Sequence, residues 1–593
     1  MKKIRVNNNY IWAKAFAKQL VALGVRYACI SPGSRSTSLT IAFAEQKNIK
    51  CFVNIDERVS GFFALGLAKA SGLPVIIVTT SGTATAELYP AIIEAYQQRV
   101  PLIICTADRP LELINTGANQ TINQWNLYRN HIRWFYSAGS PHMSAWGIQH
   151  LQKSAIKAYD ISLQKNKGPV HINFPFRKPL EPDSYTDEIE KDVFDLVNSP
   201  ITYKPLIKEK TQKRESQIKK LAEKIFKTPK GLIVFGPLDY NPDLISNVKN
   251  LSKVTGYPVL ADGLSHLRFK CSAPDKFIIT NYDTFLRSGK FEESHQPEIV
   301  LQFGRTFTST ILQKYLERSG TERYIINEYG DLFDPSRKSR SPIKSDPILF
   351  CEKLNKFLIE KDLNRKESDW LKYFQSAENL SEKIKLDSLQ KVNLKIEQKI
   401  ITEIISIVPS NTKIMISNSL PVRDFDNFVW KTKKGFKLFF NRGASGIDGM
   451  TSTALGIAVI EKPTVLITGD LSFIHDLNSL LAAKKYSIQL IVILINNSGG
   501  GIFNSLPVSS NKKLFDEFFK TPHSLNLPSI INSFGLNHYL IKNKTGLQTK
   551  LKLAQQKKSL SVLEFRTDPV LSKKSREKLR AETIKKMNKE FAH

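Results

Sequence analysis

Two hydrophobic runs, each followed by a polar pair, constrain this chain more than any other feature. A Gly-Asp pair (469–470) follows the run at 465–468, and an Asn-Asn pair (496–497) follows the run at 490–495. Residues 476–485 between the runs have the pattern of a helix. A strand, a helix and a second strand in this order predict two parallel strands. Parallel strands end at the same edge of a sheet, so both polar pairs are expected to meet there.

The residues that would meet at this edge carry the oxygen atoms that magnesium prefers. Asp470 offers a carboxylate, Asn497 an amide oxygen, and the glycine run that includes Gly499 offers backbone carbonyls. Such ligands suit Mg²⁺, which usually keeps phosphate oxygens in its shell. The sequence therefore predicts a metal–diphosphate clamp, with Asp476 as N-cap of the helix between the strands. An ordinary strand–helix–strand unit with a turn at each strand end is the alternative.

The size and cysteine content of the chain indicate a large protein of a reducing compartment. Its 593 residues are 41% hydrophobic, which at about 150–200 residues per domain suggests three domains. No apolar run is long enough to span a membrane, and no apolar stretch follows Lys2 and Lys3, so we expect no signal peptide. The five cysteines are scattered without a CxxC pair, which favours a cytoplasmic location.

The net charge of +31 raises the question of nucleic acid, but the pattern of the charge argues against it. Lysines are spread along the chain, and no zinc-finger spacing or aromatic RNA-binding motif accompanies them. The densest basic cluster, at 573–589, is interleaved with glutamates and predicts a solvated amphipathic helix. The charge would attract anionic substrates, and weakly supports association with an anionic membrane surface.

Strands and helices alternate along the chain in three segments of similar size, which predicts an α/β fold of three doubly wound parallel-sheet domains. We place the domains at residues 1–190, 205–360 and 395–593, with charged linkers near 181–215 and 360–391. The predicted strands lie at 26–30, 51–55, 75–79, 101–105, 170–173, 232–235, 299–303, 324–327, 413–417, 465–468 and 490–495.

The Gly-Asp and Asn-Asn pairs resemble the metal-binding motif of thiamine-diphosphate enzymes. In that family a glutamate after a strand of the N-terminal domain contacts the cofactor's pyrimidine, and a desolvated carboxyl group suits this role. Glu57 matches, because it follows the predicted strand at 51–55 and precedes an almost wholly apolar stretch at 59–68. A first-turn acid that complements the helix dipole is the alternative, and Asp56 could serve equally well for that.

Longer motifs narrow the resemblance to one enzyme family. Together they resemble the 2-succinyl-5-enolpyruvyl-6-hydroxy-3-cyclohexene-1-carboxylate synthases (MenD), in order, across both outer domains, whereas the middle domain matches only loosely. The NRGASGIDG segment is highly specific. The motifs are SPGSRST at 31–37, TTSGTA at 79–84, ADRP at 107–110, GANQ at 117–120, NSLPVR at 418–423 and NRGASGIDG at 441–449.

The resemblance implies an activity, a cofactor and an assembly. The family decarboxylates 2-oxoglutarate on thiamine diphosphate and adds the resulting succinyl-semialdehyde carbanion equivalent to isochorismate in a 1,4-addition. The implied cofactors are thiamine diphosphate and Mg²⁺ or Mn²⁺. The implied assembly is a homodimer or homotetramer with the active site at the subunit interface, and Glu57 is the implied catalytic residue.

The resemblance also implies the residues that bind each group. For the metal they are Asp470, Asn497 and Gly499. For the cofactor they are Glu57, Thr80, Ser81, Gly82, Ser419, Gly446, Ile447, Gly469, Asp470, Leu471, Ser472 and Asn497. For the substrates they are Ser34, Arg35, Arg109, Asn119, Gln120, Ser419, Arg423, Arg442, Ile502, Phe503 and Leu506.

Physical chemistry supports these implied roles. The two substrates carry four carboxylates together, and arginine is the side chain best suited to bind carboxylates in fixed geometry. Ile447 is the candidate for the apolar wedge that bends the cofactor. Ile502, Phe503 and Leu506 would form a dry wall, with plain core as the alternative. The ten histidines show no metal or triad spacing, so we assign none a role.

Two other functions compete with this interpretation. Another thiamine-diphosphate 2-oxo-acid decarboxylase or carboligase, of the acetolactate-synthase kind, would share the clamp. Many of those bind FAD in the middle domain, where this chain has no GxGxxG, and the number of arginines favours dicarboxylate substrates. A non-catalytic basic binding protein would not need Glu57, Asp470 and Asn497 together.

Overall fold

The computed structural model describes residues 3–164, 166–203, 215–271, 275–318, 320–365 and 368–591. The described chain contains three six-stranded sheets, each entirely parallel, and one two-stranded antiparallel pair. Helices cover both faces of the large sheets, as the alternating pattern predicts. The three-domain α/β prediction is therefore confirmed. Residues 204–214, within the predicted linker at 181–215, lie outside the described residues.

The first sheet has the strand order β3-β2-β4-β5-β7-β6, and β1 pairs with β8 beside it. Its strands are β1 (Lys3–Val6), β2 (Tyr27–Ile30), β3 (Lys50–Val53), β4 (Val75–Thr79), β5 (Leu102–Asp108), β6 (Trp134–Ser137), β7 (Val170–Pro175) and β8 (Asp187–Glu190). Its helices are α1 (Asn8–Ala22), α2 (Thr37–Ala44), α3 (Glu57–Ser71), α4 (Thr83–Glu87), α5 (Tyr89–Gln98), α6 (Ala145–Leu163) and α7 (Lys191–Val197).

The second sheet has the order β11-β10-β9-β12-β13-β14. Its strands are β9 (Gly231–Phe235), β10 (Val259–Ala261), β11 (Ile278–Ile279), β12 (Ile299–Phe303), β13 (Glu322–Asn327) and β14 (Ile343–Lys344). Its helices are α8 (Glu215–Lys227), α9 (Pro242–Thr255), α10 (Tyr282–Phe285), α11 (Gly289–Ser294), α12 (Thr310–Arg318), α13 (Pro347–Glu360) and α14 (Asp369–Gln390).

The third sheet has the order β16-β15-β17-β18-β20-β19. Its strands are β15 (Lys413–Ile416), β16 (Lys437–Phe440), β17 (Thr464–Gly469), β18 (Ile491–Asn496), β19 (Asn537–Leu540) and β20 (Ser561–Arg566). Its helices are α15 (Glu397–Ile407), α16 (Leu420–Phe428), α17 (Met450–Ile460), α18 (Asp470–His475), α19 (Ser479–Lys485), α20 (Lys512–Phe515), α21 (Leu527–Ser533), α22 (Lys544–Gln556) and α23 (Pro569–Glu590).

The first and third sheets share one strand order. Numbered within each sheet, both run 2-1-3-4-6-5, whereas the second sheet runs 3-2-1-4-5-6. The runs of β-branched residues that predict the strands form the sheet centres, for example β4 and β18, in which every residue is buried. Among the described residues, no helix is both long and apolar enough to cross a membrane. All five cysteines are free thiols.

Three sequence expectations about local structure are wrong. Asp476 does not cap a helix at 476–485, because its carboxylate accepts hydrogen bonds from the Ser452 N–H and hydroxyl, each at 2.6 Å. The predicted helix is present as α19, but it begins at Ser479 with Asn478 at its N-cap position. The predicted linker at 181–215 includes β8 and α7, and the predicted linker at 360–391 includes α14; all three pack on neighbouring elements.

The third error concerns α23, which is not a solvated helix. One face of α23 carries five buried residues spaced three or four apart: Ser572, Arg576, Leu579, Thr583 and Met587. This face packs against α14 and against α10 and α11 of the second sheet's domain. The interleaved lysines and glutamates occupy the other faces. The charge pattern therefore indicated the exposed faces of the helix and missed the buried one.

Helices α3 and α17 join the first and third sheets at a close backbone contact. A Cβ atom on Gly66 of α3 would lie 2.0 Å from the Thr453 carbonyl oxygen, and one on Gly456 of α17 would lie 2.2 Å from the Phe63 carbonyl oxygen. Neither position has room for a methyl group. The two glycines let the helices touch, and one hydrophobic cluster extends through both domains as a result.

We therefore predict that Gly66→Ala and Gly456→Ala destabilise the protein. Overpacking at such a contact costs about 1–3 kcal/mol or more, because the obstructing atoms are backbone and cannot rotate away. Denaturant titration of the cofactor-free protein measures the loss. Gly289→Ala is the matched control, because a Cβ there meets no atom within 4 Å. Equal stability of all three variants would contradict the proposed close packing.

Candidate functional site

About half of the predicted site residues follow four strands at two equivalent places. In the first sheet β2 and β4 are neighbours, while β3 lies on the far side of β2; in the third sheet β15 and β17 stand in the same relation. The strand order reverses at these points, and a crevice for ligands opens at the carboxyl ends of such strands. Residues 31–37, 80–82, 417–423 and 469–472 lie at these ends.

The two polar pairs meet at the edge of the third sheet as the sequence predicts. The carboxylate of Asp470 accepts a hydrogen bond from the N–H of Gly499 at 2.8 Å. The side chains of Asp470 and Asn497 are both buried. Burial raises the pKa of Asp470, and the hydrogen bonds from Gly499 and His523 oppose that rise. This edge thus holds a carboxylate and an amide in a sheltered position.

The donor set fits a hard divalent cation. Oδ1 of Asn497 is buried and has no hydrogen-bond partner among the described residues, whereas Nδ2 donates to Glu397 at 2.8 Å. An unsatisfied buried acceptor costs about 1–3 kcal/mol, and a bound cation would remove that cost. The described chain has no cluster of three or more His, Cys, Asp and Glu suited to a metal. The Asp470 carboxylate and the Asn497 amide oxygen are the kinds of oxygen ligand that suit Mg²⁺.

The sequence analysis assigned no histidine to the site, yet one contacts the clamp. Nε2 of His523 lies 3.1 Å from Oδ2 of Asp470. The glycine run brings it there: a Cβ on Gly499 would lie 2.4 Å from the Lys520 carbonyl oxygen, so the segment before His523 packs directly on the run. No local sequence signal marks His523, since a loop fold brings it to Asp470.

The turn at 443–447 is held from three directions. The carbonyl oxygen of Gly446 accepts from the Asn418 amide at 2.7 Å, and that of Ile447 accepts from the Ser472 hydroxyl at 2.7 Å. These bonds tie the turn to strands β15 and β17. The Ile447 side chain stays partly exposed, and a Cβ on Gly469 would meet no atom within 4 Å, so space remains at this end of the sheet.

A carboxylate of the N-terminal domain accepts hydrogen bonds from the same turn. Glu94 of α5 accepts hydrogen bonds from the N–H groups of Gly443 and Ala444, at 2.8 and 2.7 Å. Glu94 is 3% exposed, so both charge-assisted bonds are sheltered from water. The contact joins the two outer domains beside the predicted site, and no local sequence signal marks it.

The N-terminal crevice contains two arginines that repel each other. Arg35 donates to the Phe176 carbonyl oxygen at 2.7 Å, and Arg109 donates to the Ser81 hydroxyl at 2.7 Å and to Gln120 at 3.5 Å. Burial and the nearby charge of Arg109 lower the pKa of Arg35. Nε of Arg35 is buried without a hydrogen-bond partner among the described residues. The two guanidinium groups therefore have N–H donors that could bind an anion.

The C-terminal crevice contains a second arginine pair. Arg423 donates to the Ser419 carbonyl oxygen at 2.6 Å, and Arg442 donates to the Asn418 side chain at 3.1 Å. Burial and the charge of Arg442 lower the pKa of Arg423. Ser419 adopts a φ of 71°, a left-handed conformation that is uncommon for a residue other than glycine and is typical of functional sites.

The remaining predicted residues of the first domain lie around the same crevice. Ser34, Asn119 and Gln120 are exposed there, and Thr80 is buried against Gly33. Gly82 has a φ of 83°, and a Cβ there would lie 3.3 Å from Gln120, which brings the two predicted motifs together.

A buried glutamine that the sequence analysis overlooked supports this arrangement. Gln124 accepts from the Gly82 N–H at 3.0 Å and donates to Asn173 at 2.8 Å. Asn173 in turn donates to Asp108, the residue before Arg109, at 2.8 Å. A chain of side-chain hydrogen bonds thus fixes the loops that carry the candidate substrate residues.

Glu57 is partly buried at the start of α3, and burial raises its pKa, with further raising by Asp56 and Glu87. Asp56 is the N-cap of α3, accepting from the N–H groups of Arg58 and Val59. The capping role therefore belongs to Asp56. Among the described residues, no hydrogen bond or ion pair links Glu57 to the third sheet's site.

The three residues of the predicted dry wall are not core residues. Ile502 and Phe503 are partly exposed and Leu506 is 45% exposed. They lie in and just after a short 3₁₀ turn that follows the glycine run, and the Phe503 ring contacts that of Phe519 at 6.0 Å between centroids. The alternative of plain core is excluded, and the apolar surface stays open to a ligand or a second chain.

Comparisons with known proteins agree with the three-part fold. Residues 12–127 match the family "Thiamine pyrophosphate enzyme, N-terminal TPP binding domain", and residues 425–565 match the corresponding C-terminal TPP binding domain. Residues 199–416 match the "Middle domain of thiamine pyrophosphate" family. A benzoylformate decarboxylase from Polynucleobacter necessarius has a similar fold, with a TM-score of 0.68 at 16% identity over 94% of this chain and 98% of that one.

Two curated relatives match nearly the whole chain. The 2-succinyl-5-enolpyruvyl-6-hydroxy-3-cyclohexene-1-carboxylate synthase of Bacillus cytotoxicus is 36% identical over 95% of this chain and 95% of its own length. The protein of the same name from Gloeothece citriformis is 38% identical over 95% of this chain and 96% of its own length. The similarity therefore covers all three domains.

The Glu94 contact leads to a prediction about the turn at 443–447. Glu94→Gln replaces one acceptor oxygen by an NH₂ group that faces a backbone donor, which costs about 1–3 kcal/mol. We expect the amides of Gly443 and Ala444 to exchange with deuterium at least about tenfold faster, measured by mass spectrometry. Glu87→Gln, which removes an exposed carboxylate of α4, is the control. Unchanged exchange in Glu94→Gln would show that other contacts hold the turn.

Proposed function

Since the chain belongs to the thiamine-diphosphate-dependent 2-succinyl-5-enolpyruvyl-6-hydroxy-3-cyclohexene-1-carboxylate synthases of menaquinone biosynthesis, we propose that it decarboxylates 2-oxoglutarate and adds the four-carbon remainder to isochorismate by 1,4-addition. The observation that carries the choice of substrates is the presence of two arginine pairs, one in each crevice. The two substrates bring four carboxylates, and arginine binds carboxylates in fixed geometry.

The cofactor would supply the bond-breaking chemistry. The protein would hold the metal and the cofactor in place and share a proton with the cofactor. When bound, thiamine diphosphate would supply a carbon nucleophile, its deprotonated thiazolium C2, and a thiazolium ring that takes up the electron pair left when CO₂ departs. Asp470, Asn497 and the Gly499 carbonyl would hold the metal and, through it, the diphosphate; Gly469, Leu471 and Ser472 would line the same pocket. Glu57 would share a proton with the pyrimidine N1′, a role that its raised pKa suits.

The apolar and neutral residues would orient the cofactor and exclude water. Ile447, fixed through its carbonyl by Ser472, would support the cofactor between its two rings. Thr80, Ser81 and Gly82 would border the pyrimidine end, as implied by their place after β4. Ile502, Phe503 and Leu506 would cover the reacting carbon once ligands are bound, which protects it from stray protonation.

The arginines divide between the two ends of the site. Arg35 and Arg109, with Ser34, Asn119 and Gln120 beside them, would bind carboxylates at the N-terminal crevice. Arg423 and Arg442, with Ser419, would bind carboxylates at the C-terminal crevice. Each pair is incompletely neutralised, so an anionic substrate would relieve the repulsion within the pair.

We propose that a second copy of the chain completes the site. In the part of the chain that the structure describes, no hydrogen bond or ion pair joins Glu57 to the third sheet's site, and apolar side chains are exposed close to Glu57. Ile55 is 70% exposed and Leu481 is 42% exposed, and both line an open cavity of about 460 Å³ beside Asp56. Apolar side chains exposed together in this way favour a protein contact.

The domain limits and the compartment belong to the same proposal. Three domains centred on the three sheets are proposed, with the first extending past residue 190 to the end of α7 and the second extending past residue 360 to the end of α14. The five free thiols support a reducing, cytoplasmic setting. Mg²⁺ and Mn²⁺ both suit the oxygen ligands of the clamp.

The proposed reaction is tested by measuring CO₂ release from 2-oxoglutarate together with loss of isochorismate absorbance, in the presence of Mg²⁺ and thiamine diphosphate. We expect equal consumption of both substrates. CO₂ release without loss of isochorismate would overturn the choice of acceptor. An absence of turnover, with cofactor bound, would overturn the choice of 2-oxo acid.

The role of Glu57 gives a separate prediction. Glu57→Gln keeps the shape of the side chain but removes the exchangeable carboxyl proton, so we expect retained cofactor binding and a loss of turnover of at least about 100-fold. Calorimetric titration with thiamine diphosphate and the coupled assay measure the two quantities. Near-normal turnover in this variant would show that Glu57 does not share a proton with the cofactor.

A further inference from the structure

Helix α23 reaches the candidate metal site through a chain of buried charged side chains. Nδ2 of Asn497 donates to Oε1 of Glu397 at 2.8 Å, and Oε2 of the same carboxylate accepts from Arg576 at 2.6 Å. Glu397 is 1% exposed and Arg576 is 9% exposed. The chain thus leads from a helix near the C-terminus to an amide that faces the clamp, without a water-exposed step.

The Glu397 carboxylate fixes which end of the Asn497 amide faces the clamp. A carboxylate accepts hydrogen bonds and does not donate them, so only the NH₂ end of the amide can face Glu397. The oxygen end must then point the other way, and Oδ1 is the buried atom that has no partner among the described residues. Glu397 therefore selects the rotamer in which Asn497 can ligate a metal.

Arg576 holds Glu397 and a second carboxylate together. Its guanidinium binds both oxygens of Asp424, at 3.1 and 2.5 Å, in addition to Glu397. Asp424 lies on α16 directly after Arg423, a candidate substrate residue. One side chain of α23 thus supports the metal side and the substrate side of the site.

Other contacts fix α23 where Arg576 requires it. The Glu397 N–H donates to the Ser572 hydroxyl at 3.3 Å, and the Gln398 side chain donates to the Ser572 carbonyl oxygen at 2.9 Å. Met587 belongs to the hydrophobic cluster of the second domain, and Asn588 accepts from the Ser288 hydroxyl at 2.6 Å. The helix is therefore anchored in the second domain at one end and in the metal site at the other.

We propose that Arg576 and Glu397 are positioning residues that hold Asn497 in its metal-binding orientation, so that α23 controls metal-dependent binding of the cofactor. The inference rests on the proposed metal site. Partners of a ligating side chain fix its orientation, and their loss typically costs 10- to 100-fold in metal affinity. Neither residue contacts the reacting atoms.

The test measures the Mg²⁺ concentration needed for half-maximal binding of thiamine diphosphate, by titration of the full-length protein. Arg576→Gln should raise it at least about tenfold, and Glu397→Gln should do the same, because an amide can offer its NH₂ end to Asn497. Arg576→Lys, which keeps the charge, should restore most of the affinity. Lys578→Gln, which removes one positive charge from an exposed position of the same helix, should leave it within about twofold of the unmodified protein.

The melting temperature of the cofactor-free protein separates positioning from folding. A merely structural role would lower this temperature without changing the Mg²⁺ requirement of the folded fraction, and that result would overturn the inference. If Arg576→Gln does not fold, Glu397→Gln and Arg576→Lys decide, since they preserve shape or charge. Failure of the unmodified protein to bind thiamine diphosphate with Mg²⁺ would overturn the proposed metal site instead, and Asp470→Ala supplies the reference for complete loss.

Discussion

The backbone contact between α3 and α17 is the constraint on which the rest of the molecule depends. Gly66 and Gly456 allow the two helices to approach closely. At this distance, a Cβ atom on either glycine would collide with the backbone of the opposite helix. The same packing merges the cores of the first and third domains into one cluster. Glu57 begins α3, and the turn at 443–447 precedes α17, so the contact sets the positions of both candidate site segments. Glu94 then adds a polar connection between the same two domains.

The sequence was sufficient for the parts of the fold that local physics determines. Hydrophobic runs identified strands such as β4 and β12 to the residue, because strands buried on both faces are mostly apolar. The meeting of Asp470 with the glycine run after Asn497 followed from the parallel arrangement alone. The motif residues therefore fell at the predicted sheet edges.

The parts that the sequence missed depend on contacts between distant segments. Asp476 has the local pattern of an N-cap, but Ser452 competes for it successfully. His523 and Glu397 reach the clamp from loops and helices whose approach has no local signal. The lysines of α23 suggested a solvated helix because they dominate its composition. They lie on its exposed faces, whereas the five residues that face the neighbouring domains are buried.

Buried polar groups near the site serve geometry more than stability. Removing charges such as Glu94, Glu397 and Asp424 from water is costly, and well-packed apolar residues would stabilise the fold equally well or better. Each of these carboxylates instead fixes a backbone turn or a side-chain rotamer next to the crevices. The free-energy cost of burying these carboxylates falls at places where a hydrogen-bond donor or acceptor must be accurately positioned.

The identical strand order of the first and third sheets has a consequence for how such a protein changes over time. Both sheets form a crevice at the same place, but the side chains beside it differ. The first sheet has hydroxyl groups and a glutamate there, and the third has an aspartate and an asparagine. The difference lies in the short loops that follow β3, β4, β17 and β18, and these loops do not contribute to the buried sheet centres. New chemistry can therefore arise by replacing loop residues in either half, while the duplicated frame, whose packing tolerates little alteration, is inherited unchanged.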